Sequence, residues 1–260
     1  MQKIITILLL SLFTSTLIAQ SIKDEWHPSH GSLLDGKTIA KANLLGVTAR
    51  NFGFYGERII SKRVSFVLGV NTMPEGNIPY IEHFTDEPEI RDIQISSLAF
   101  TPEIRIYLSR SGYGKGFYIA PYYKYEKYDA SSYNIEFSDE DNNTQFINMN
   151  GNLNTHSFGA ALGVQWLVGK QKNIIIDWTM LGAHYGSNKG YLKGKTTYDM
   201  TEETQNEIRK TIEDSFQSIE IGNLVPIKTE NIQIDKNNAS VDIKSPWAFI
   251  RSSLSIGFRF

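Results

Sequence analysis

Apolar and polar residues alternate along most of the chain. Val64, Phe66, Leu68 and Val70 share one parity, with Arg63, Ser65 and Asn71 on the other. A period of two over that length predicts a strand with one apolar face. Leu98, Phe100, Pro102, Ile104, Ile106 and Leu108 repeat the pattern against Ala99, Thr101, Glu103, Arg105 and Tyr107. Phe117, Ile119, Pro121, Tyr123 and Tyr125 then oppose Tyr118, Ala120, Tyr122 and Lys124. Phe158 to Trp166, Ile174 to Met180 and Ile250 to Phe260 follow the same rule. Eight strands result, at about 38–48, 51–60, 63–73, 92–108, 116–128, 153–168, 173–184 and 247–260. In the first, Leu44-Leu45 blurs the phase.

Most of these runs reach the 9–11 residues that a tilted strand needs to cross a bilayer. Ser61-Lys62, Arg110–Lys115 and Gly169–Lys172 are short turns on one side, while 74–91, 129–152 and 185–246 are long loops on the other. Short turns opposite long loops, with an even strand number, predict an eight-stranded antiparallel transmembrane β-barrel. A soluble β-sandwich is the competing arrangement for alternation. Against it, the non-apolar faces carry Gly, Ala, Ser and charge, and the last run closes at Phe260 on the apolar phase.

On the inward parity stand Glu57, Glu103 and Asp177 with Arg105, Lys124 and Arg251, a formal sum of zero. Eight strands enclose an interior just wide enough for side chains to fill. A balanced set there predicts a salt-bridged plug, where a lining of one sign would point to ion selectivity. Transport is the competing reading.

Ser255-Ile256-Gly257-Phe258-Arg259-Phe260 resembles the C-terminal strand by which the barrel-assembly machinery recognises outer-membrane proteins, with Phe258 and Phe260 as the signal. Phe52–Ile60 (FGFYGERII), Thr101–Leu108 (TPEIRIYL) and Gly116–Tyr125 (GFYIAPYYKY) resemble segments of the small outer-membrane barrels of Bacteroidota, a family of unknown function with an OmpA/OmpX-like eight-stranded barrel. The resemblance spans about residues 40–260. It implies a small barrel and supplies no catalytic residues, and the long last loop departs from the family.

Composition narrows the classes further. The 260 residues carry 28 Asp+Glu against 26 Lys+Arg, a net charge of −2 that argues against nucleic-acid binding. With no cysteine, disulfide scaffolds, thiolate metal sites and Cys nucleophiles are excluded. Met1-Gln2-Lys3 and the apolar stretch Ile4 to Ile18, followed by Ala19-Gln20-Ser21, predict a signal peptide over 1–19, with a single anchor helix as the alternative. A polar leader, 20–37, contains His27 and His30, expected to be solvated, and the barrel occupies 38–260 with 185–246 as its fourth outer loop.

The long loops are acidic and the short turns basic. Loop 74–90 holds Glu75, Glu82, Asp86, Glu87 and Glu89, and loop 129–152 holds Asp129, Glu136, Asp139, Glu140 and Asp141. Asp139 to Asn143 begins like a calcium loop, but Thr144 stands where the turn needs Gly and Asn150 where a bidentate Glu would close it. No metal and no cofactor is expected. In 185–246, Thr201-Glu202-Glu203 starts a helix with Ile208, Ile212 and Phe216 on one face, expected to rest on the barrel mouth. Ile232–Ile234 and Val241–Ile243 predict a hairpin. The loop is expected to cap the mouth or bind a surface partner or small ligand.

Some outer-membrane barrels act on lipid through a Ser–His site near the rim. His184 with Ser187 is the candidate here, yet a spacing of three on a strand sends the two to opposite faces. His156-Ser157 fails likewise, and His83 has no nucleophile beside it. The expectation is a non-enzymatic outer-membrane barrel of a Gram-negative bacterium, structural or surface-binding. Its expected partners are outer-membrane lipids, lipopolysaccharide and the assembly machinery; a lipid hydrolase is the alternative.

Overall fold

The computed structural model describes residues 36–81, 91–109, 113–138, 143–218, 220–221, 225–226 and 229–260. Eight strands form a ring: β1 (Thr38–Asn43), β2 (Phe52–Ile59), β3 (Val64–Asn77), β4 (Gln94–Tyr107), β5 (Gly116–Ser138), β6 (Thr144–Val168) and β7 (Ile174–Lys195), closed by β11 (Asn238–Arg259). Between β7 and β11 come helix α1 (Glu202–Ser218), a two-residue pair β8 (Glu220–Ile221) and β9 (Val225–Pro226), and β10 (Thr229–Ile234). Every ring neighbour is antiparallel, and β1 closes on β11 from Ile39↔Arg259 to Asn43↔Ser255.

The register fixes the shape. Ala42 faces Phe54, and that row continues through Val70, Phe100, Tyr125, His156 and Ser187 to Pro246. Ala42 also faces Ile256 directly. The row therefore returns ten residues displaced along β11. With strands about 4.8 Å apart and a rise near 3.3 Å per residue, that stagger gives a tilt of roughly 40°.

Outward side chains in the ring are apolar and exposed: Phe54, Phe66, Phe100, Ile104, Phe158, Leu162, Tyr185, Ile250, Ile256 and Phe258 among them. On β7 this face runs from Ile174 to Tyr185, which at that rise and tilt makes a band about 28 Å tall. Above the band the wall is uneven. On one side β1 stops at Asn43 and gives way to a 3-10 turn, Leu45–Ala49, so the expected strand over 38–48 is shortened. On the other side β5, β6, β7 and β11 rise far beyond it. The segment 129–152, expected as a loop, is mostly strand on both sides of residues 139–142, and 185–246 contributes strand up to Lys195 and again from Asn238.

Register shifts conceal that rise from the sequence. Between Ala130 and Tyr133 a bulge moves the inward face of β5 from even positions (Tyr118, Tyr122, Glu126) to odd ones (Ile135, Phe137). In β7 a second shift moves it from Asp177 and Thr179 to His184 and Asn188. Above the band the face continuous with the barrel interior becomes apolar, and the outer face becomes polar.

On that inner face sits a core of Ile135, Phe137, Ile147, Met149, Ala239 and Val241, joined by Ile208 and Ile212 of α1. The helix begins at the predicted place, with Thr201 Oγ1 accepting from Thr204 N at 3.3 Å as an N-cap. Arg209 Nη1 donates to Ile232 O at 2.8 Å and ties α1 to β10. The hairpin of β10 and β11 pairs as expected from Thr229↔Ile243 to Ile234↔Ala239. The helix thus rests on the risen wall rather than on the barrel mouth, because there the inward face turns apolar and meets Ile208 and Ile212. The side chain of Phe216, the segment 1–35 where a signal peptide, His27 and His30 were expected, and loop positions 82–90 with His83 lie outside the described residues.

Candidate functional site: the charged interior

The lower half of the barrel is filled from all eight strands. Lys41 of β1 is central, its Nζ donating to Glu57 Oε2 (2.7 Å), Asp177 Oδ2 (2.7 Å) and Gln165 Oε1 (3.0 Å). Arg105 of β4 lies beside it, donating through Nε to Glu103 Oε1 (2.6 Å) and through Nη1 to Asp177 Oδ2 (2.6 Å) and Gln165 Oε1 (3.1 Å). Arg251 Nη2 of β11 reaches the other oxygen of Glu103 at 2.9 Å. Ser65 of β3 and Tyr107 of β4 donate to Glu57 Oε1 at 2.6 and 2.7 Å, and Tyr118 of β5 donates to Asp177 Oδ1 at 2.8 Å. The guanidinium of Arg105 also stacks 4.2 Å above the Tyr118 ring.

Three acids, Glu57, Glu103 and Asp177, meet three bases, Lys41, Arg105 and Arg251, so the cluster is neutral. All six carboxylate oxygens accept a hydrogen bond. That satisfaction is what allows charge to remain in a buried interior, where an unpaired ion costs several kcal/mol. Below the cluster Ile39, Ile59 and Ile175 form a small apolar floor. Glycines make room for the large rings: a Cβ on Gly163 would collide with the Tyr118 hydroxyl, and one on Gly69 would lie 2.8 Å from the Tyr55 ring.

Five of the six residues singled out in the sequence come together: Glu57, Glu103, Arg105, Asp177 and Arg251. Lys124 does not. It sits higher on β5 and pairs with Glu126 at 2.6 Å. Its place is taken by Lys41, which the sequence pattern missed. Ile39, apolar and inward, and Ala40 and Ala42, small and outward, give β1 no legible phase. The signal that could have found it was the pairing of Lys41 with Tyr55 in β2, whose own phase was clear.

The remaining candidates are dispersed. His184 points inward, with Nδ1 3.1 Å from the Tyr122 hydroxyl, while Ser187 is exposed on the outer face. His156 is outside, 2.6 Å from the Tyr123 hydroxyl, and Ser157 is inside, donating to Lys124 O. Neither serine meets its histidine. Of the calcium-like run, residues 139–142 lie outside the described residues, and no group of three metal-binding side chains occurs among the described ones. Phe258 is exposed on the outer face, its ring 5.2 Å from that of Phe260.

Fold and interior together define a ring of eight antiparallel strands, a β-barrel apolar outside and charge-paired within. Among solved structures the chain is similar to a major outer membrane protein from Thermus thermophilus, at 12% identity and a TM-score of 0.40 over 86% of this chain and 97% of that one. No protein-family model and no curated protein matches the sequence.

Proposed function

We propose that the protein is an integral outer-membrane barrel of a Gram-negative bacterium with a closed, non-conducting lumen, serving a structural or surface-binding role rather than transport. One observation carries this: every strand of the ring contributes a side chain to a single neutral, hydrogen-bonded cluster that spans the interior. Ion passage would require separating Lys41 and Arg105 from three carboxylates at once. The apolar band about 28 Å tall matches a hydrocarbon core, and the charged, then apolar, first residues suit export. Phe258 and Phe260 on the outward parity suit recognition by the barrel-assembly machinery. Outer-membrane lipids surround the band.

Planar-bilayer recording of the purified, reconstituted protein tests the closed lumen. No steady conductance is expected. A stable, stepwise open level above that of the bare bilayer would refute it. Conductance appearing only in Lys41→Ala would instead identify the cluster as the barrier.

A further inference from the structure

Resting on the membrane-barrel reading above, we infer that the outer face of the risen wall is a docking surface for the phosphorylated oligosaccharide head group of an outer-leaflet glycolipid. The outer face changes character abruptly along β5, β6, β7 and β11. Its uppermost row with aromatics on three neighbouring strands holds Tyr123, Phe158 and Tyr185, with Tyr125 against His156 just above. Such rings mark the upper membrane interface. The next outward row is Lys127, Asn154, Lys189 and Lys244, aligned across the four strands.

Lys127 and Lys244 are paired, with Asp129 at 2.9 Å and Glu230 at 3.0 Å. Lys189 stands directly opposite Lys244, and like charges so placed repel. Lys193 and Lys195 continue the stripe up β7, all three exposed and none in an ion pair among the described residues. Beside them Asn148, Asn150, Asn152 and Asn154 form a ladder of side-chain amides on β6, where Asn150 Nδ2 donates to Asn148 Oδ1 at 2.9 Å. Tyr191 lies between Lys189 and Lys193, and the Lys193 ammonium sits 4.7 Å over its ring. One further acid, Asp242, stands opposite Tyr191 and accepts from Asn231 Nδ2 at 3.3 Å. Three lysines against that single acid, with planar amides and an exposed ring in one sheet face, suit a sugar that bears phosphate.

Height selects the lipid. From Tyr185, the tilted strand places Lys189 about 10 Å and Lys193 about 20 Å above the aromatic level. An ordinary phospholipid head group extends only about 5–8 Å beyond the hydrocarbon. Lys189 can bend down to that layer, but Lys193 and Lys195 cannot. A lipid whose head group continues as an anionic saccharide reaches all three.

The full-length protein is reconstituted in phosphatidylcholine nanodiscs doped with rough lipopolysaccharide bearing a phosphorylated inner core, or with the same lipid dephosphorylated. Glycolipid retained after detergent extraction is counted by native mass spectrometry. Wild type should retain at least tenfold more of the phosphorylated form. Lys189→Ala/Lys193→Ala/Lys195→Ala should bring the two within twofold, while Lys62→Ala at the opposite rim should change nothing. Equal retention of both lipids by wild type, or an undiminished preference in the triple variant, overturns the inference. Insertion into pure phosphatidylcholine vesicles is scored separately: wild type failing there defeats the membrane-barrel reading itself, whereas normal insertion with no lipid preference defeats only the docking surface.

Discussion

Replacing Lys41 with Leu tests the interior cluster most directly. The ammonium lies within hydrogen-bond reach of two carboxylates and one amide, and the residue is 4% exposed. Removing one partner of a buried ion pair costs about 3–5 kcal/mol, because the other charge is left behind. Here the residual partners moderate that figure. Asp177 keeps Arg105 at 2.6 Å and Tyr118 at 2.8 Å, whereas Glu57 keeps Ser65 and Tyr107, with the nearest guanidinium nitrogen 3.7 Å away. Glu57 is therefore the group that suffers, and a loss of about 3 kcal/mol is expected. That corresponds to a change of roughly 150-fold in the folding equilibrium. The assay is urea unfolding from lipid vesicles, followed by tryptophan fluorescence and the heat-modifiable gel shift. Lys41→Leu/Glu57→Leu should recover most of the loss, since it removes both charges. Lys62→Leu in an exposed turn should stay within about 0.5 kcal/mol of wild type. A Lys41→Leu cost under about 1 kcal/mol, or a double variant no better than the single one, would refute the reasoning.

Two further substitutions probe the packing around the cluster and above it. Gly163→Ala puts a methyl where the Tyr118 hydroxyl lies, so the ring must leave Asp177, at a cost of about 1–3 kcal/mol by the same unfolding assay; Gly169→Ala in the nearby turn, where a Cβ meets nothing closer than 3.8 Å, gauges the strain of its positive φ alone. Ile212→Ala removes a fully buried side chain from the core beneath α1, worth about 2–5 kcal/mol locally. Hydrogen exchange should then speed up in Glu202–Ser218 while the amides of β1 to β4 keep their protection, and uniform acceleration across the barrel would contradict a separate upper core.

Much of this protein could be read from alternation. A strand with one face in an apolar solvent needs apolar residues at every second position, and this physical demand is local. It set the parity of β3 and β4 outright and marked Glu57, Glu103, Arg105, Asp177 and Arg251 as inward. The approximate strand number and the side of the short turns followed from the same demand. What alternation could not convey lay where its premise fails. Above the apolar band the two faces exchange character: Ile147 and Met149 turn inward, and Asn148 and Asn150 turn outward. A stretch judged by the lower rule reads there as a polar loop. Bulges at Ala130–Tyr133 and in β7 broke the parity at the same height.

Lys41 illustrates the other limit. Nothing in Thr38–Asn43 by itself distinguishes its two faces. Its partners Glu57, Gln165 and Asp177 are 16, 124 and 136 residues away, so only the closed ring, with its ten-residue stagger, brings them to one ammonium. The sequence by itself determined that charges of both signs would face inward and that their sum would be near zero. Which cation answers which carboxylate was decided by the tertiary structure, because ring closure and register are cooperative properties of all eight strands. The same holds for the seat of α1, whose apolar stripe was legible but whose partner surface exists only once four strands rise together beyond the rim.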